Sequence, residues 1–113
     1  MARIPGNALP DRGFPLYARF LTAVASRTSP GQSIVIAAPM GGWGSGYAYA
    51  YYRASYLLAG RRVIPLMDKD DRMYYERLSD GDLVAFWGKG VPPGPYEVVW
   101  RGSGGVLYRR APH

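Results

Sequence analysis

Apolar residues in this chain fall in short blocks separated by glycine and proline, and the spacing inside each block points to an element. The first block is helical. Leu16, Phe20 and Val24 recur every four residues with Leu21 beside them, which places them on one helix face. Pro15 suits the first turn, where a missing N–H costs no hydrogen bond. Arg27 lies near the other end, where the helix dipole favours a cation. Ser29-Pro30-Gly31-Gln32 then has the form of a type II turn, with Pro second and Gly third.

Ser33–Ala38 (SIVIAA) and Leu83–Trp87 (LVAFW) are continuous apolar runs, the pattern of strands covered on both faces. Arg62–Met67 (RVIPLM) reads as another strand, a reading that Pro65 weakens. A glycine-rich loop, Pro39–Gly46, follows the first strand. Tyr47–Ala59 carries Ala, Leu or Tyr at nearly every position and predicts a helix ended by Gly60 in the left-handed region. Asp68–Leu78 is polar and reads as a loop leading into a short helix. Asp80-Gly81-Asp82 is a turn. Tyr96–Trp100 and Val106–Arg110 flank Arg-Gly-Ser-Gly-Gly and predict an antiparallel hairpin with a flexible tip.

Strands alternating with helices predict an α/β fold. The expectation is a three-layer α/β/α domain whose mixed, mainly parallel sheet has about five strands and ends in an antiparallel hairpin. Residues 1–13, rich in Pro, Gly and Asn, read as a linker or lead-in, and 14–113 as a single α/β domain.

Composition adds limits. The net charge of +6 comes from 12 Arg and 2 Lys against 8 acidic residues. Such a balance favours anionic partners. The arginines are spread out, adjacent only at Arg61–Arg62 and Arg109–Arg110, so no basic arm for nucleic acid is formed. Absence of cysteine excludes disulfides, zinc–thiolate sites and thiol catalysis, and suits the cytoplasm or an extracytoplasmic space equally. No run approaches the roughly 20 apolar residues that span a bilayer. The opening residues have no apolar signal segment, so export would depend on a segment outside this sequence.

The strongest candidate for chemistry is the strand–loop–helix unit. Amides approached through Gly42, Gly44, Ser45 and Gly46 at a helix start could hold an anion. Asp68 ends the next strand 22 positions after Gly46, where an acid could accept hydrogen bonds from a ribose. The strict dinucleotide fingerprint is not met, because Tyr47 or Tyr49 stands where the third glycine belongs, and no Lys-Ser/Thr pair closes a Walker loop. The plainer reading is a glycine-rich connection that packs Trp43 against the sheet edge.

Other candidates are thinner. Asp68, Asp70 and Asp71 lack the glycine and closing Glu of a calcium loop, and Lys69 and Arg72 sit among them. The sole histidine is the terminal His113, and Glu76 and Glu97 fall on different elements. No catalytic residue, metal ligand or cofactor is therefore expected. Tyr47, Tyr49, Tyr51, Tyr52 and Tyr56 crowd one helix with Arg53, a composition suited first to burial, second to an interface and a distant third to stacking nucleic-acid bases.

Tyr52-Arg-Ala-Ser-Tyr-Leu-Leu-Ala-Gly-Arg-Arg-Val-Ile-Pro65 resembles a segment of the soluble C-terminal regions of bacterial polytopic membrane proteins of the polyprenyl-phosphate-sugar-dependent glycosyltransferase type. The helix Phe14–Arg27, the Pro-Gly-x-Ser-Ile-Val-Ile and Leu-Val-Ala-Phe-Trp-Gly strands and Gly105-Val-Leu-Tyr-Arg-Arg110 occur in the same order, so the likeness runs from about Phe14 onward. The resemblance implies a non-catalytic accessory domain on the extracytoplasmic side of the inner membrane. Its implied partners are the membrane-embedded portion of a parent protein or the membrane surface. The alternative is a small Rossmann-like domain binding a nucleotide or nucleotide sugar, with a cytoplasmic location.

Overall fold

The computed structural model describes residues 15–88, 90 and 92–111. The expected lead-in 1–13 and His113 lie outside them. Among the described residues two α-helices, α1 (Pro15–Ser26) and α2 (Ala48–Leu57), accompany five strands: β1 (Ser33–Ala37), β2 (Arg62–Pro65), β3 (Leu83–Trp87), β4 (Tyr96–Gly102) and β5 (Gly105–Arg110). The strands form one mixed sheet in the order β2-β1-β3-β5-β4. It is parallel from β2 to β3 and antiparallel from β3 to β4. The fold is α/β.

Burial explains the order. β1 is apolar at every position from Ile34 to Ala37 and sits between two parallel partners. β5 buries Leu107 and Tyr108 on opposite faces and lies inside the sheet, while β4, with Val98 and Val99 exposed, takes the edge. β2 is short, ends at Pro65 and forms the other edge, where a missing N–H is tolerated. The expected run to Met67 therefore stops two residues early. Beyond Pro65 the Leu66 N–H still donates to Ile36 O of β1 at 3.3 Å, and it donates as well to the Tyr47 hydroxyl at 2.8 Å.

Alternation along each strand divides the core in two. Ile34, Ile36, Leu83, Ala85 and Leu107 face the helices, and α1 contributes Tyr17, Phe20, Leu21 and Val24 while α2 contributes Ala50 and Ala54. Both α-helices thus cover the same sheet face. Each fully buried apolar side chain stabilises by about 1.5–3 kcal/mol. Phe20 fills its site so closely that a Cβ on Gly105 would lie 2.5 Å from its ring. The opposite face, with Val35, Ala37, Ile64, Val84 and Tyr108, packs on Leu78 of a 3₁₀ helix, Tyr75–Asp80. The helical layer expected there is not found among the described residues: Leu78 of this helix and Leu66 and Met67 of the loop before it pack on that face.

The turns follow their chemistry. Gly31 and Gly60 adopt φ of +91° and +88°, as the type II turn and the helix end require. The hairpin tip is tighter than the sequence suggests. Strand pairing continues to Gly102↔Gly105, leaving only Ser103 and Gly104, both at positive φ, in the turn.

Candidate functional site

In an open sheet of this winding, ligands enter at the carboxyl ends of neighbouring strands whose connections leave in opposite directions. Here those strands are β1 and β3. The chain leaves β1 through α2 to β2 on one side, and leaves β3 toward β4 on the other. At that place the two loops touch. A Cβ added to Gly88 would meet Pro39 Cγ at 2.7 Å, so not even a methyl group fits between them. Trp87 closes the helical side, its indole 5.1 Å from the ring of Tyr17 and its N–H donated to Ser103 O.

The glycine loop is beside this closure, and the amides of Trp43, Ser45 and Tyr47 are engaged. Ser45 N–H and Tyr47 N–H both donate to Gly42 O, at 3.2 and 3.1 Å. Trp43 N–H donates to Asp71 Oδ1 at 2.7 Å. Gly46 is held against Met40, whose carbonyl oxygen would lie 2.3 Å from a Cβ at that position. Gly44 faces open space. The loop packs Trp43 near Tyr47 and Tyr51, with ring centroids 6.2 and 6.0 Å away.

Asp68 follows β2, as the sequence suggests, but its carboxylate is occupied. Arg77 Nη2 approaches Oδ2 at 2.6 Å and Lys69 N–H donates to Oδ1 at 2.7 Å. The Arg77 hydrogen bond, followed by the Lys69 amide, holds the Asp68 carboxyl below the usual aspartate range. Arg77 also donates to Pro65 O, so this ion pair anchors the 3₁₀ helix to the end of β2. Asp70 accepts from the Tyr74 hydroxyl, and this bond likewise depresses its carboxyl.

Asp71 is the residue whose role sequence reasoning missed. It sits in a tight turn, with Asp71 N–H donating to Asp68 O and Asp68 N–H to Arg72 O. Its φ of +65° is left-handed, a conformation that Asp tolerates better than most side chains. That geometry swings its carboxylate onto the glycine loop. The available signal was an Asp at the end of an Asp-rich turn, with nothing to specify its target. Among the described residues no three His, Cys, Asp or Glu side chains gather as a metal site.

The tyrosines of the second helical segment divide. Tyr47 is fully buried and donates to Ile36 O, and burial pushes its hydroxyl up to about 12. Tyr49 is half-buried, whereas Tyr52 and Tyr56 are 58% and 72% exposed. Tyr49, Tyr52, Arg53 and Tyr56 line an open cleft of about 280 Å³ on α2. Among the described residues no helix is long and apolar enough to cross a membrane. No family model, curated protein or solved structure matches the chain.

Proposed function

We propose that this chain is a non-catalytic accessory domain that acts by docking. It is the role expected of the soluble region of a membrane glycosyltransferase-like protein. The observation that carries the reading is the bond from Trp43 N–H to Asp71 Oδ1. The place where a glycine loop would receive an anion is taken by the chain's own carboxylate. The Asp68–Arg77 pair and the Pro39–Gly88 contact work in the same direction, since both consume features a ligand would use. The helical layer keeps Leu16, Tyr52 and Tyr56 outward-facing.

Cell fractionation of the source organism tests the parentage. A membrane-bound band much heavier than the chain's 12.5 kDa supports an accessory domain of a larger protein. A soluble band at that mass overturns the parentage.

The second reading is a Rossmann-like nucleotide- or nucleotide-sugar-binding domain. It is favoured by one arrangement, a glycine loop after β1 and an acid after the adjacent parallel strand β2. A ligand at about 100 times its Kd adds about 2.7 kcal/mol of stability, which is on the order of 10 °C in a domain of this size. Thermal melts with mononucleotides and nucleotide sugars decide the matter. The docking reading expects no shift. A large shift that Asp68→Ala abolishes replaces it with the second reading.

A further inference from the structure

The acidic residues are segregated. Between Asp11 and Asp68 the chain has no Asp or Glu, although Arg19, Arg27, Arg53, Arg61 and Arg62 lie in that span. The span contains α1, β1, α2 and β2, so neither helix of the covering layer carries a negative charge. The carboxylates Asp68, Asp70, Asp71, Glu76 and Asp80 belong to the loop and 3₁₀ helix that cover the opposite sheet face. The helical layer carries arginines and no carboxylate, whereas the opposite layer carries five carboxylates with Lys69, Arg72 and Arg77 among them.

We infer that the outer face of α1 and α2 docks on an anionic lipid bilayer, a proposal that rests on the docking reading above. Charge complementarity selects the occupant. Arg19 and Leu16 are exposed one turn apart on α1, and Tyr52 and Tyr56 are exposed one turn apart on α2. An apolar side chain, arginines and tyrosines with a dry body and a wet tip are what a headgroup region accommodates. The cleft beside Tyr52 and Tyr56 has room, at about 280 Å³, for a phosphate-bearing headgroup. The carboxylate-rich face is then turned away from the anionic surface.

The packing of the rings favours lipid over nucleic acid. Base stacking needs open aromatic faces. The Arg53 guanidinium lies 5.4 Å from the Tyr56 ring centroid and takes one face of that ring. Tyr52 packs 5.3 Å from Tyr51 and meets Trp43 at 6.2 Å in an edge-on contact. These rings lean on their neighbours rather than standing open as platforms for bases.

The test is co-sedimentation of the full chain with vesicles of phosphatidylcholine alone and of phosphatidylcholine with phosphatidylglycerol. Binding is expected only to the anionic vesicles, with loss as salt rises from about 0.1 M to about 0.5 M. Arg19→Glu is expected to weaken partition by about fivefold or more, the factor one basic side chain contributes near such a surface. Tyr52→Ser with Tyr56→Ser is expected to weaken it further, with circular dichroism unchanged because both side chains are exposed. Absence of partition, or partition that these variants leave intact, overturns the lipid proposal while the docking reading stands. Tighter binding to single-stranded RNA than to anionic vesicles overturns it in favour of nucleic acid. A nucleotide-induced thermal shift lost in Asp68→Ala overturns the docking reading itself.

Discussion

Asp71 and Trp43, 28 residues apart in sequence, are joined by a hydrogen bond from the Trp43 amide to the Asp71 carboxylate at 2.7 Å. The bond ties the turn after β2 to the loop after β1. It also places a negative charge on the five-residue turn Trp43–Tyr47, which the non-helical Gly46 separates from α2. The chain supplies to itself what a phosphate would otherwise supply.

Removing that carboxylate should reopen the position. Asp71→Ala is expected to cost about 1–2 kcal/mol, from a lost charge-assisted hydrogen bond at an exposed site and Ala's poorer tolerance of positive φ. Phosphate should then stabilise Asp71→Ala more than it stabilises the natural chain. Equal phosphate effects on the two proteins, measured by thermal melts at matched ionic strength, would show that the loop has no latent affinity for anions.

The loop glycines should separate by function. A methyl group at Gly46 would sit 2.3 Å from Met40 O, a backbone atom that has no rotamer to escape through. Gly46→Ala is therefore expected to cost about 3 kcal/mol or more, the range for an overpacked site that forces backbone movement. Gly44→Ala meets nothing within 4 Å and should change stability by about 0.5 kcal/mol or less. Chemical denaturation of both variants checks the contrast. Equal costs would mean that Gly46 is not packed against Met40.

Much of the fold was legible because its signals are local. SIVIAA and LVAFW could satisfy their apolar side chains only as strands covered on both faces, and they are β1 and β3. Gly31 and Gly60 marked their turns through a backbone preference that needs no knowledge of the rest of the molecule. The placement of β5 inside β4, and of both α-helices on one face, depends on competition among buried surfaces far apart in sequence. The candidate site was legible only as positions. Gly42–Gly46 and Asp68 do follow neighbouring parallel strands, but the partners that occupy them, Asp71 and Arg77, were visible only as members of a solvated charged stretch. A charge pattern does not reveal which carboxylate turns inward onto which amide.

Arg61 should prove more important to stability than its surface location suggests. Its guanidinium donates to Ala25 O, Thr28 O, Thr28 Oγ1 and Ala59 O, at 2.8–3.0 Å. It thereby holds the end of α1 to the end of α2, satisfying carbonyls that neither helix can pair internally. Arg61→Ala is expected to cost about 2–3 kcal/mol. Arg61→Lys should recover less than half of it, because a single ammonium cannot span the fork. Urea denaturation of the two variants would refute this role if lysine restored full stability.

Stability should fall at both ends of the pH scale, for different reasons. Asp68 and Asp70 have carboxyls held below the ordinary aspartate value of 3.8 by Arg77 and Tyr74. Their contribution is complete above that value and is lost as pH falls through the lower folded-state values, because the unfolded chain takes up protons first. Tyr47 and Tyr17 behave oppositely. Burial raises Tyr47 from 10.0 to about 12 and Tyr17 further still, so the native state keeps protons that the unfolded state releases. Their contribution is full below 10.0 and declines as pH rises from there, until each folded-state value is passed. Each tyrosine in that window should remove about 1.4 kcal/mol per pH unit. Denaturant titrations at about pH 9 and about pH 11 should therefore differ by roughly 2–3 kcal/mol, and Tyr47→Phe should halve the difference while lowering stability at both values. An unchanged difference in Tyr47→Phe would mean that another group governs the alkaline limb.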